Sequence, residues 1–188
     1  MKRSHEISQV CYVCRDLERA VDYFIDHEGV GPFYAIAMQP ESVRYEYRGE
    51  PVTGISTNRV AFGYRGRLQF EIAETDNPVF THVLGGREIA FHHRIQMTET
   101  FDADFRRYCD AGISIMASAE MQGSRIQFMD TFSTLGHYTE LVNYHEVTNY
   151  SRAMGQDRTM FDLFDIMIAA ARNWDGRERL RDFSDLYL

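Results

Sequence analysis

The chain has 188 residues, 44% hydrophobic and 26% charged, with a formal charge of −8 and three cysteines. That is enough apolar material for one packed core. The acidic balance, with no Lys/Arg cluster beyond pieces such as RERLR, argues against nucleic acid or an anionic membrane as main partner. An odd cysteine count excludes a disulfide framework, MKRSHEISQV lacks a signal-peptide core, and no apolar run approaches the ~18 residues of a membrane span; a cytoplasmic protein with a small-molecule partner is expected.

ISQVCYVC (7–14) is β-branched and aromatic and predicts a strand, followed by a helix from about Asp16 to His27 with Asp16 as N-cap. Leu17, Val21, Phe24 and Ile25 form its apolar stripe. Cys11 and Cys14 have the spacing of redox and zinc motifs, but residues three apart on a strand face opposite ways, so both read as small buried hydrophobes. Gln9 shares a face with Cys11 and Val13. Three strand-like runs follow: GPFYAIAM, STNRVAFGY and RLQFEIAE. Between the first two lies QPESVRYEYRGEPVTGIST, whose composition suggests a mobile rim segment.

The pattern then repeats, about 84 residues on: IAFHHRIQMT as strand, TFDADFRRYCDAG as helix with Phe101, Phe105 and Tyr108 on its stripe, then SIMASAEMQ, SRIQFMDTF and HYTELVNY. The expectation is an α+β protein. Two βαβββ units, about residues 5–75 and 88–146, make one domain over 1–150, and 151–188 form a helical extension. In that extension Met160, Phe164, Met167, Ala171 and Trp174 share a helical face, suited to packing on the protein's own domain, on a second subunit or over a cavity.

Equivalent strands of the two units carry polar residues inside apolar runs: Gln9 and His93 on the opening strands, Glu71 and Glu140 on the closing ones. An ionised carboxylate on such a face is costly unless paired or bound to metal. Strand alternation leaves the histidine open. His93 would share its face with Ile95 and Met97 and leave His92, Arg94 and Gln96 under the helix, whereas a one-residue slip or bulge would select His92. Alternation forbids both from reaching one ion. His5 lies ~13 Å along the strand from Gln9, a poor co-ligand.

In order and separation these motifs resemble the vicinal oxygen chelate superfamily of glyoxalases, methylmalonyl-CoA epimerases, extradiol dioxygenases and bleomycin-resistance proteins. The likeness rests on Gln9 followed by DLERA, HHRIQMTETFDADF, TELVNY with Glu140, and FEIAE with Glu71. It implies paired βαβββ modules curling into a cup-shaped mixed sheet. One divalent metal (Ni, Co, Mn, Mg or Zn) would be held by Gln9, Glu71, His93 and Glu140, with His92 as alternate to His93. A single well-placed imidazole departs from the two-His, one-carboxylate set of extradiol enzymes. The activity implied is glyoxalase- or epimerase-type proton transfer α to a carbonyl, with Glu140 and Glu71 catalytic. The alternative is a non-enzymatic protein that sequesters an aromatic compound, as in bleomycin resistance. The expected partners are a small carbonyl-containing substrate, hydrophobic or aromatic, and a second copy in a homodimer. Arg44, Arg48, Arg65 and Arg67 are candidates to contact a carboxylate, glutathione or CoA phosphates.

Overall fold

The computed structural model describes residues 7–121, 123–146 and 159–187. His5 and the expected boundary at residue 150 lie outside the described residues.

Asp16 starts the first helix, α1 (Leu17–Glu28), by accepting the Arg19 N–H at 2.9 Å, and Gly29 ends it in the left-handed conformation, φ 64°. Before it runs β1 (Ile7–Cys14). After it come β2 (Phe33–Ala37), β3 (Arg44–Tyr47), β4 (Glu50–Pro51), β5 (Asn58–Arg65) and β6 (Leu68–Thr75). The short α2 (Pro78–Thr81) leads to β7 (Ile89–Thr98), α3 (Phe101–Asp110), β8 (Ile115–Met121), β9 (Ser124–Met129), α4 (Phe132–Leu135) and β10 (Tyr138–Asn143). The extension supplies α5 (Met160–Arg172), β11 (Leu180–Asp182) and a closing 3₁₀ turn (Phe183–Tyr187).

All eleven strands form one curved sheet, ordered β11-β2-β5-β6-β1-β7-β10-β9-β8-β3-β4. Its centre shows the doubling. β1 pairs in parallel with β6 and β7 in parallel with β10, while the two opening strands join the units by pairing antiparallel. The fold is the α+β cup of paired βαβββ modules that the sequence predicts. Alternation sorts the faces: Cys14 packs with Leu17, Ala20, Val21, Phe24, Phe33 and Ile72 under α1, outside the cup. Gln96, which alternation also sends to the outer face, accepts a hydrogen bond from Tyr108 of α3 at 2.8 Å, so this polar residue under a helix is satisfied.

Residues 39–57 do not form the expected loose rim. Arg44–Tyr47 leaves its own module and pairs with β8, aligning Tyr45 with Ala119 and Tyr47 with Ala117, and β4 completes a hairpin. Six residues join β2 at one end of the sheet to β3 near the other, which limits that span to about 25 Å and curls the sheet. The extension packs on its own chain. Leu163 and Met167 are buried against Tyr34, Tyr64, Phe183 and Leu186, with β11 parallel to the outer edge of β2. No helix among the described residues is long and apolar enough to cross a membrane.

The outer core can be tested apart from the cup. Ile72 is fully buried beneath α1, so Ile72→Ala is expected to lower the free energy of unfolding by about 2–5 kcal/mol in denaturant titrations.

Candidate metal centre

The register of the central strands brings the predicted quartet together. Cys11 on β1 lies opposite Glu71 on one side and His93 on the other. In the next row Ile95 stands between Gln9 and Glu140. All four predicted residues line one cavity of about 320 Å³ on the concave face. Gln9, His93 and Glu140 are buried, while Glu71 opens partly onto the cavity.

A β-bulge decides which way the histidines point. Cys11 pairs with His93 and Tyr12 with Phe91, so His92 is an extra residue in β7. The bulge cancels one step of alternation and turns both imidazoles to the concave side, where both rings lie against Phe80 and Phe128. The expectation that neighbouring histidines must face opposite ways is corrected by this irregularity. A second shift, between Ile7 and Gln9, makes Ser8 the extra residue of β1. Each opening strand thus carries its bulge immediately before its candidate ligand.

The hydrogen bonds fix the tautomers. The Val79 carbonyl can only accept, so His92 Nε2, 2.8 Å away, carries a proton. His92 Nδ1 is then a lone pair that accepts from His93 Nδ1–H at 2.7 Å. This leaves His93 Nε2 unprotonated, 2.5 Å from Glu140 Oε2 and without a hydrogen-bond partner. Burial, with a further contribution from His137, holds the His93 pKa down to about 3, so the ring stays neutral. With Glu140 protonated its O–H donates to this lone pair; once that proton is lost the two donor atoms face each other, an arrangement suited to a cation. Backing of a ligand imidazole through its other nitrogen is how metal sites orient histidine.

The other donors fit the same ion. Burial, and for Glu71 also the charge of Glu140, pushes both carboxyl pKa values up to about 8. Without a cation the fold therefore favours protons there. Gln9 Nε2 donates a very short hydrogen bond to Glu71 Oε2, and a half-turn of the amide presents Oε1 instead. One imidazole, one amide and two carboxylates make an oxygen-rich set for a divalent first-row ion or Mg.

Two neighbours were not legible as site residues. Cys11 Sγ, a Glu71 oxygen and a His93 nitrogen lie within 4.8 Å of one another, so Cys11 is on the floor of the site rather than a remote core residue. Its shared face with Gln9 was the available signal. Tyr45 enters from the β3 hairpin, and burial together with the nearby charges of Glu71 and Glu140 raises its phenol pKa. No local pattern announces that placement. The remaining described histidines are elsewhere. His82 bonds the Pro78 carbonyl and the Tyr138 hydroxyl, His137 bonds the Leu135 carbonyl, His27 stacks near Tyr23, and the exposed His145 follows β10.

No protein-family model matches the chain, and no curated protein does. Solved structures do. A hypothetical protein from Bacillus halodurans C-125 superposes with a TM-score of 0.55 at 12% identity, over 75% of this chain and 95% of that one. Methylmalonyl-CoA epimerase from Mycobacterium tuberculosis gives 0.53 at 18%, over 76% and 91%. A methylmalonyl-CoA epimerase in complex with methylmalonyl-CoA and NH4+ gives 0.52 at 20%, over 74% and 94%. These likenesses establish the fold, that of paired βαβββ modules.

Two outcomes test the centre. His93→Ala should abolish stoichiometric metal uptake. His92→Phe, which keeps a ring but gives His93 Nδ1–H no acceptor, should weaken it by about 10–100-fold in competition with a chelating dye. The second concerns pH. Because the carboxyl pKa values are raised above their unfolded values, the protons on Glu71 and Glu140 stabilise the metal-free fold below about pH 4.5, and that contribution is lost as pH rises through about 8. Melting temperatures in EDTA should fall across this window, and the increment from added metal should grow.

Proposed function

We propose that the protein is a metal-dependent isomerase or lyase that moves a proton at the carbon α to a substrate carbonyl, with residues 1–150 as the catalytic unit. The observation that carries this reading is the unequal treatment of two buried carboxylates on one cup floor. Glu71 accepts from the Cys11 thiol and, in the metal-free orientation of the amide, from Gln9 as well. Among the described residues no hydrogen-bond donor reaches Glu140, whose carboxyl is raised by burial alone. A carboxylate without donors is the stronger base, so Glu140 removes the α-proton and Glu71 serves the other side of the substrate.

A divalent ion bound here would polarise the carbonyl and acidify the adjacent C–H. Gln9, Glu71, His93 and Glu140 would hold it. His93 contributes a lone pair only, because His92 and Val79 keep its proton on Nδ1. The largely apolar cavity strengthens the electrostatic interactions around the transferred proton. His92 does not complete a two-histidine iron site, since both of its nitrogens are engaged, which weighs against extradiol dioxygenase chemistry. The same reading carries a cytoplasmic homodimer.

Glu140→Gln keeps an oxygen donor of the same size but cannot take a proton. It should retain metal and lose about 10²–10⁴-fold in turnover. With candidate carbonyl compounds in deuterium oxide, the wild type should exchange the α-hydrogen, read by NMR. Oxygen consumption tied to ring cleavage, or undiminished activity in Glu140→Gln, would refute the mechanism. Failure to take up Ni, Co, Mn, Mg or Zn would favour a sequestering protein instead.

A further inference from the structure

We infer that the cup takes a neutral, largely apolar carbonyl compound held whole beneath a roof, and does not take an acyl-CoA thioester. This rests on the quartet being the reacting end, and the observation that carries it is the roof. Met160 and Phe164 of α5 and Phe183 and Tyr187 of the closing turn line the same cavity as Gln9, Glu71, His93 and Glu140. From the opposite side Val43 and Tyr45 of the 39–57 insert reach it. Both segments are additional to the repeated modules. The epimerase structures match only about three quarters of this chain, a share the size of the two modules.

The wall specifies the ligand's chemistry. Away from the quartet it is built mainly of Ile, Val, Met, Ala and Phe side chains, with two tyrosines and the neutral polar Asn58, Gln69, Thr75 and Ser124, and among the described residues no Arg or Lys lines it. Two buried wall atoms lack a hydrogen-bond partner among the described residues, His93 Nε2 and Ser124 Oγ. The first belongs to the reacting end. The second is closed off from the cavity as it stands, so among the described residues no cation on the wall compensates a desolvated carboxylate or phosphate. The volume of about 320 Å³ is near the lower limit of ligand pockets, ~300–1,000 Å³.

An acyl-CoA would have to leave its nucleotide outside and find cations at the rim. Of the four arginines the sequence nominates, Arg44, Arg48 and Arg65 are engaged, and Arg67 alone has no ion pair among the described residues. Arg44 pairs with Glu120 at 2.6 Å, Arg59 with Glu18 and Glu74, and Arg65 with Glu28 at 3.7 Å. Arg48 lies over the Tyr47 ring. A protein of charge −8 also repels a polyanionic ligand at long range.

Three probes separate the alternatives by calorimetry on the full-length, metal-loaded protein: 1-phenylpropane-1,2-dione, neutral and apolar; phenylpyruvate, of similar size but anionic; and propionyl-CoA. The dione is expected to bind at least tenfold more tightly than the other two. Met160→Trp, which fills the cavity from the roof, should weaken the dione at least tenfold while metal stoichiometry stays at one per chain. Propionyl-CoA or phenylpyruvate binding as tightly as the dione, or no dione binding to metal-loaded protein, would overturn the proposal. Loss of the metal reading would show separately as zero stoichiometry. The ranking would then be repeated on metal-free protein, where a preference for the neutral probe supports the cavity assignment and its reversal refutes it.

Discussion

The contact between the His93 lone pair and the Glu140 carboxylate, 2.5 Å apart on a buried floor, is the constraint around which the rest of the cup is arranged. Once Glu140 loses its proton, two electron-rich groups so close repel unless a cation takes the proton's place, and a second carboxylate, Glu71, adds to the demand. In a low-dielectric interior that repulsion is strong. Loop-borne side chains would relax apart. Here each group is carried by a different central strand, β7, β10 and β6, and the hydrogen-bonded ladder fixes their separation. The rigidity of the sheet is what keeps such a constellation assembled, and a divalent cation, on the proposed reading, would reverse its sign.

The ladder alone would not aim the side chains correctly. Strict alternation over β7 would place either His92 or His93 on the floor and turn the other under the helix. The bulge lets one serve as donor and the next as its support, with the Val79 carbonyl anchoring the relay. A corresponding irregularity at Ser8 precedes Gln9. The doubled architecture therefore repeats the departure from regularity that aims a side chain, as well as the strand order.

This explains which parts were legible in sequence. Period-two runs such as LQFEIAE and the Asp16-capped helix declared their elements locally, and Gln9, Glu71 and Glu140 stood out as polar residues in strands that have no other use for them. The bulge did not, because one additional residue leaves no compositional trace; alternation counted through His92 gave an ambiguity that only the pairing with β1 resolves. Tyr45 was hidden for a different reason. The polar composition of residues 39–57 suits a loose segment, yet β3 finds its partner in β8, some 70 residues away, and that choice is made by the curvature of the whole sheet rather than by its own sequence.

The two segments outside the repeat solve a problem the repeat creates. A sheet of two fused modules ends in two exposed edges, β2 and β8, each a template for unwanted pairing. The hairpin β3–β4 covers β8 and β11 covers β2. Each covering strand brings its neighbours over the mouth of the cup: Val43 and Tyr45 with the first, Phe183 and Tyr187 with the second. Edge protection and cavity closure are thus one structural act at each end. Because strand pairing anchors the roof, its shape can change through individual side chains such as Met160 while the floor keeps its register. On the proposed reading the chemistry would reside in the central strands and the choice of substrate in the segments that cap the edges.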